Sequence, residues 1–164
     1  MKKTTVAVIS ASTLLAALSL FTTETSAHKK EVFSNASLRG SYALVGSGGA
    51  NEAGSVGITQ FDGAGGASRV LVLNEADPNS SGRLILEIPA NGQYNVRPNG
   101  MGTATFLNEL PDGSKVPFGF DFVITEAEQR APKRAVLGTK LHMIQREAGI
   151  AAKLVVFDLM RLPD

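Results

Sequence analysis

Cysteine is absent from all 164 residues, which excludes a disulfide framework and any thiolate nucleophile or thiolate metal ligand. Tryptophan is absent too and there are two tyrosines, too few for the aromatic girdles that flank a barrel spanning an outer membrane. The chain ends Leu162-Pro163-Asp164 rather than on an aromatic residue, which points the same way. The two histidines are His28 and His142, so ordinary zinc-ligand spacing does not occur and no metal site is expected. No Gly-x-Ser-x-Gly elbow accompanies His142, and no catalytic residue is assigned. The glycine-rich stretches Gly46-Ser47-Gly48-Gly49 and Gly63-Ala64-Gly65-Gly66 lack the following helix and the Gly-Lys-Ser/Thr of a phosphate loop. They read as turn glycines, and no cofactor is implied.

A long apolar run is also missing. Lys2 and Lys3 precede an apolar stretch from Val6 to Leu20, shorter than the roughly 18–20 residues needed to cross a bilayer. A polar segment, Thr22–Ser26, then leads to Ala27, with small residues at Thr25 and Ala27 suited to signal-peptidase cleavage before His28. Residues 1–27 thus read as a cleavable signal peptide, and the protein as periplasmic or secreted with no membrane span after cleavage. No cysteine follows the run for lipid anchoring, and no arginine pair precedes it for twin-arginine export. Removing Lys2, Lys3 and Glu24 from the chain's 16 basic and 15 acidic residues leaves 14 of each. That balance supplies no field to gather phosphate backbones, so nucleic acid is not an expected partner. Without disulfides, stability must come from a buried core, and the ~137 residues after Ala27 suffice to build one.

What the chain has is reversal chemistry. Residues 28–37 read as a polar, flexible leader, and residues 38–164 as one β domain. Short apolar runs at Arg39–Gly46, Ser55–Phe61, Ala67–Asn74, Gly82–Pro89, Gln93–Arg97, Met101–Asn108, Pro117–Thr125, Ala135–Gln145 and Ala152–Leu162 predict strands. Asp62-Gly63, Asn91-Gly92, Asn99-Gly100 and Asp112-Gly113 supply the positive φ of tight hairpins. The expected fold is all-β, an antiparallel up-and-down barrel of about eight strands. A helix of at most two turns is expected only in the Glu126–Arg134 connection, limited by Pro132.

Alternation places Phe118, Phe120, Phe122 and Ile124 on one face, against Gly119, Asp121 and Thr125 on the other. Tyr42, Tyr94 and Phe106 extend this aromatic wall. An eight-strand interior is either filled by side chains or wide enough for one small ligand, and both readings stay open. If a ligand is bound, Tyr42, Tyr94, Phe118, Phe120 and Phe122 would line its site. Asp158 shares a strand face with Leu154, Val156 and Met160. It either pairs with Arg69, Arg83 or Arg97 as a structural tie or anchors the ligand. Asp62 is expected to close its own turn, Asp121 to face solvent, and Arg130, Lys133, Arg134 and Lys140 to form a solvated basic loop with Glu126 and Glu128. The runs Arg69–Asn74, Arg83–Ile88 and Lys153–Leu159 are apolar on both faces, so an outer face needs a cover. Self-association through that face is the alternative to ligand binding.

Three motifs carry a resemblance. Leu38-Arg39-Gly40-Ser41-Tyr42 opens the domain, Phe61-Asp62-Gly63-Ala64-Gly65 makes a hairpin, and Gly92-Gln93-Tyr94-Asn95-Val96 leads to Gly100-Met101-Gly102-Thr103. Over residues 38–106 the chain resembles a group of uncharacterised bacterial exported proteins with L-x-G-x-Y, F-D-G-x-G and G-x-Y-x-V motifs. The resemblance implies a calycin-like barrel of the allene oxide cyclase or lipocalin type, and it transfers no catalytic residue. Members often carry an acidic residue and a cysteine after the G-x-Y-x-V strand, where this chain has Pro98-Asn99-Gly100. Fold analogy alone keeps a third reading, an isomerase or cyclase acting by confinement.

Overall fold

A computed structural model describes residues 32–48, 53–77, 79–129, 136–146 and 154–164. The signal-peptide reading of residues 1–27, His28, and the basic residues Arg130, Lys133 and Arg134 lie outside them. The strands are β1 (Arg39–Gly48), β2 (Ala53–Asp62), β3 (Gly66–Ala76), β4 (Arg83–Val96), β5 (Met101–Glu109), β6 (Lys115–Gln129), β7 (Val136–Gln145) and β8 (Val155–Arg161). Each pairs antiparallel with the next, and β8 closes on β1 with Tyr42 opposite Arg161 and Gly48 opposite Val155. The fold is an all-β, closed, up-and-down barrel of eight strands. Among the described residues no helix is long and apolar enough to cross a membrane.

The turn between β2 and β3 shows how local chemistry reverses the chain. Asp62 Oδ1 accepts hydrogen bonds from the backbone N–H groups of Ala64, Gly65 and Gly66 at 2.7, 2.9 and 2.9 Å. Gly63 takes φ 82°, open to glycine at little cost. The Asn99-Gly100 and Asp112-Gly113 reversals form in the same way, with Gly100 and Gly113 both at φ 81°.

Asn91-Gly92 does not reverse the chain. Two predicted strands merge into β4, with Gly92 inside it opposite Phe106. A Cβ on Gly92 would stand 2.7 Å from Phe106 Cδ1, so the glycine is there to seat a ring and not to turn the backbone. Gly46 and Gly102 are likewise opposite Phe157 and Phe122, whose rings fill the space a Cβ would need. Pairing a ring with a glycine on the adjacent strand lets a small barrel hold many aromatics.

Two further expectations change. Glu126–Gln129 continues β6 as strand rather than opening a helix, with register shifts around Glu126 that bend the ribbon. The end of the leader is seated on the barrel. Asn35–Ser37 forms a 3₁₀ turn, Ser37 and Leu38 are fully buried, and Asn35 Oδ1 accepts from the Val96 N–H at 2.8 Å. This segment caps the end that carries the β2–β3 and β4–β5 turns.

Candidate ligand cavity

The barrel interior has two unlike halves. Beneath the cap, Leu38, Tyr42, Phe61, Tyr94, Ile124 and Leu141 are all buried. Tyr42 and Phe61 pack edge-to-face with centroids 5.2 Å apart, and Phe61 and Tyr94 at 5.0 Å. The Tyr42 hydroxyl donates to the Gly138 carbonyl at 2.6 Å, and the Tyr94 hydroxyl lies 2.9 Å from the Leu38 carbonyl and 3.0 Å from that of Asn35. Burial pushes both phenols up to about 12, so both remain protonated donors. The motif aromatics Tyr42, Phe61 and Tyr94 are therefore all in this plug, with both tyrosine hydroxyls already bonded.

Toward the other end the interior opens into a cavity of about 610 Å³. Its walls are apolar, with Leu71, Leu73, Leu86, Ile88, Phe118 and Phe157 among them, and its mouth carries Ala53, Glu75, Pro111 and Asp112. Among the described residues, the buried polar side chains of Ser55, Arg69, Asn108 and Gln145 border it, each less than 9% exposed.

Arg69 is the unusual member. It is 4% exposed, and its guanidinium carbon lies 4.4 Å from the centroid of Phe106, 5.4 Å from Phe120 and 5.8 Å from Phe157. Its Nη2 donates to Asn108 Oδ1 at 2.8 Å. Its Nε has no hydrogen-bond partner, nor has Oγ1 of Thr59, the residue directly opposite Arg69 on β2. No ion pair is formed by Arg69 among the described residues. Burial lowers its pKa to about 10, which still leaves a cation at neutral pH. Ring faces and one amide oxygen offset part of the desolvation, but a buried charge without a counter-ion is costly.

Of the residues expected to line a site, Phe118 and Phe120 border the cavity. Tyr42, Tyr94 and Phe122 are buried in the barrel but do not border it. Asp158 is on the outside. It does share a face with Leu154, Val156 and Met160, but those residues are 47%, 50% and 60% exposed, so that face is the outer one. Asp158 contacts Nδ1 of His142, its register partner on β7, and none of the three arginines considered for it. Its inward neighbours, Phe157 and Leu159, carry the core side of β8.

The sequence reading missed Arg69, Asn108, Gln145 and Ser55 as cavity residues. A signal for Arg69 was present: with Phe61 inward, alternation turns Thr59 inward, and the Asp62–Gly65 turn sets Thr59 opposite Arg69. Asp121, read as exposed, is half-exposed and held by Arg146 through two bonds of 2.8 and 3.0 Å, which keep its carboxyl below the usual range. Lys140, from the expected basic loop, bonds Glu126 at 3.4 Å.

A second, larger groove of about 820 Å³ lies at the capped end, bordered by Arg39, Gln60, Asp62, Arg161 and Asp164. It is more open, and Arg161 there is already bonded to Asp164 Oδ1 at 2.6 Å and to the Arg39 carbonyl at 3.2 Å. The interior cavity is thus the better candidate, having a buried cation that is not ion-paired. Among the described residues, no group of three or more His, Cys, Asp or Glu side chains is placed to hold a metal ion. No protein-family model matches the chain, and neither do curated proteins or solved structures.

Proposed function

We propose that this chain is an exported, calycin-like barrel that binds one small apolar or amphipathic molecule in the open half of its interior. The observation that supports this is the cavity itself: about 610 Å³ of space with apolar walls and a few convergent polar groups. The volume is within the roughly 300–1,000 Å³ range of small-molecule sites. Titration with the neutral fluorescent dye N-phenyl-1-naphthylamine tests it. Saturable enhancement with one site per chain is expected, weakened roughly tenfold by Leu73→Trp, which narrows the cavity. Absence of saturation, or equal binding by the variant, rejects interior binding. Export rests on the residue 1–27 pattern, and N-terminal sequencing of protein recovered outside the cytoplasm should begin at His28.

A second reading is self-association. Val45 is opposite Val56, and Ile58 opposite Val70, and all four side chains are 45–60% exposed on the outer face. Adjacent apolar residues across three strands favour a contact with a second copy. Light scattering at high micromolar concentration should show an oligomer that Val56→Lys dissociates. A monomer throughout rejects this reading.

A further inference from the structure

The charge inside the cavity says more than its shape. Glu75, on the same strand as Arg69, is six residues along it, ~20 Å away at strand rise, and sits at the mouth. The other acid bordering the space, Asp112, is held in its own turn by Ser114, whose N–H and Oγ lie at 2.9 and 2.6 Å. Among the described residues, the inner end of the cavity therefore holds one cation, with an unpartnered Nε–H, and no carboxylate beside it. A purely apolar occupant would strip the remaining water from this cation and give nothing in return. An ammonium head would meet a like charge. A phosphomonoester carries about −1.5 to −2 charges and would leave part of that charge without a partner. One carboxylate matches one guanidinium in charge and in planar geometry.

We propose that the barrel binds a monocarboxylate amphiphile, its head group on the Arg69 guanidinium and its apolar tail directed along Leu71, Leu73 and Ile88 toward the mouth. This deepens the interior-binding reading and rests on it. Asn108 positions the guanidinium through its 2.8 Å bond, and the Phe106 and Phe120 rings pack against it with centroids 4.4 and 5.4 Å from its carbon.

The test compares dodecanoate with dodecanol, dodecylamine and dodecyl phosphate by calorimetry on the purified protein at pH 8, where the acid is ionised. Dodecanoate is expected to bind with roughly ten- to a hundred-fold preference over dodecanol, the factor a charge-assisted hydrogen bond supplies. In Arg69→Met that preference should vanish while dodecanol still binds. Asn108→Asp gives a second route: a carboxylate built in beside Arg69 should remove the preference for the acid without removing dodecanol binding. If dodecanoate and dodecanol bind the unaltered protein equally, or the amine or phosphate binds best, the carboxylate assignment is overturned and interior binding survives. If none of the four binds, interior binding itself is overturned. If Arg69→Met keeps the preference, the acid is held somewhere other than Arg69, which also overturns the proposal.

Discussion

The capped and open halves of this barrel share eight strands and one hydrogen-bonded ladder, yet they are built for opposite ends. In the capped half each ring finds another ring or a glycine, and each phenol is bonded to a carbonyl. In the open half leucine, isoleucine, valine and phenylalanine side chains surround a cavity, and its buried cation has no counter-ion among the described residues. The first arrangement stabilises the fold, whereas the second leaves a cavity and a buried charge at a cost in stability. A closed strand ladder makes this division workable, because backbone pairing runs round the whole barrel and does not depend on filling its interior.

The contrast is open to direct attack by mutation. Phe61→Ala in the plug should cost about 3–5 kcal/mol in urea unfolding, whereas Phe118→Ala, partly buried at the cavity, should cost about 1–2 kcal/mol. Equal losses would mean that the halves are packed alike. Arg69→Met should move stability the other way, raising it by about 1–3 kcal/mol through loss of a buried, uncompensated charge. A clear drop in the unfolding midpoint would show that the guanidinium supports the fold. Tyr42→Phe should lose about 1–2 kcal/mol with its bond to the Gly138 carbonyl, with ligand binding unchanged. A binding defect in that variant would link the two halves.

The smallest effect concerns the turn at the capped end. The Ala64, Gly66 and Gly65 N–H groups hold the Asp62 carboxyl below its ordinary value of 3.8. A depressed folded-state value contributes stability that is complete above the unfolded value and is lost as pH falls through the folded one. The acid limb of stability below about pH 3.8 should therefore be shallower in Asp62→Asn. Superimposable pH profiles from 2 to 5 would remove Asp62 from the account.

Legibility in the sequence followed how local the cause was. Asp62 closing its own turn and the inward row Phe118, Phe120, Phe122 were readable because a turn bond and strand alternation depend on a few adjacent residues. Asn91-Gly92 misled because a glycine that turns the chain and one that makes room for a ring look the same until the partner, Phe106, is in place. Asp158 misled for a related reason. In a strand with apolar residues on both faces, alternation separates two sides without saying which is inside, and the His142 contact lies on another strand.

Composition and turn chemistry dictated that this chain fold back and forth without disulfides, because zero cysteines and Asp-Gly or Asn-Gly corners act within a few residues. Which side of the doubly apolar strands meets the core, and the meeting of Arg69 with Asn108 under three phenylalanine rings, were settled only by long-range register. That charge and its surroundings come from four different strands, β3, β5, β6 and β8, and no window of sequence holds the arrangement before the sheet has closed.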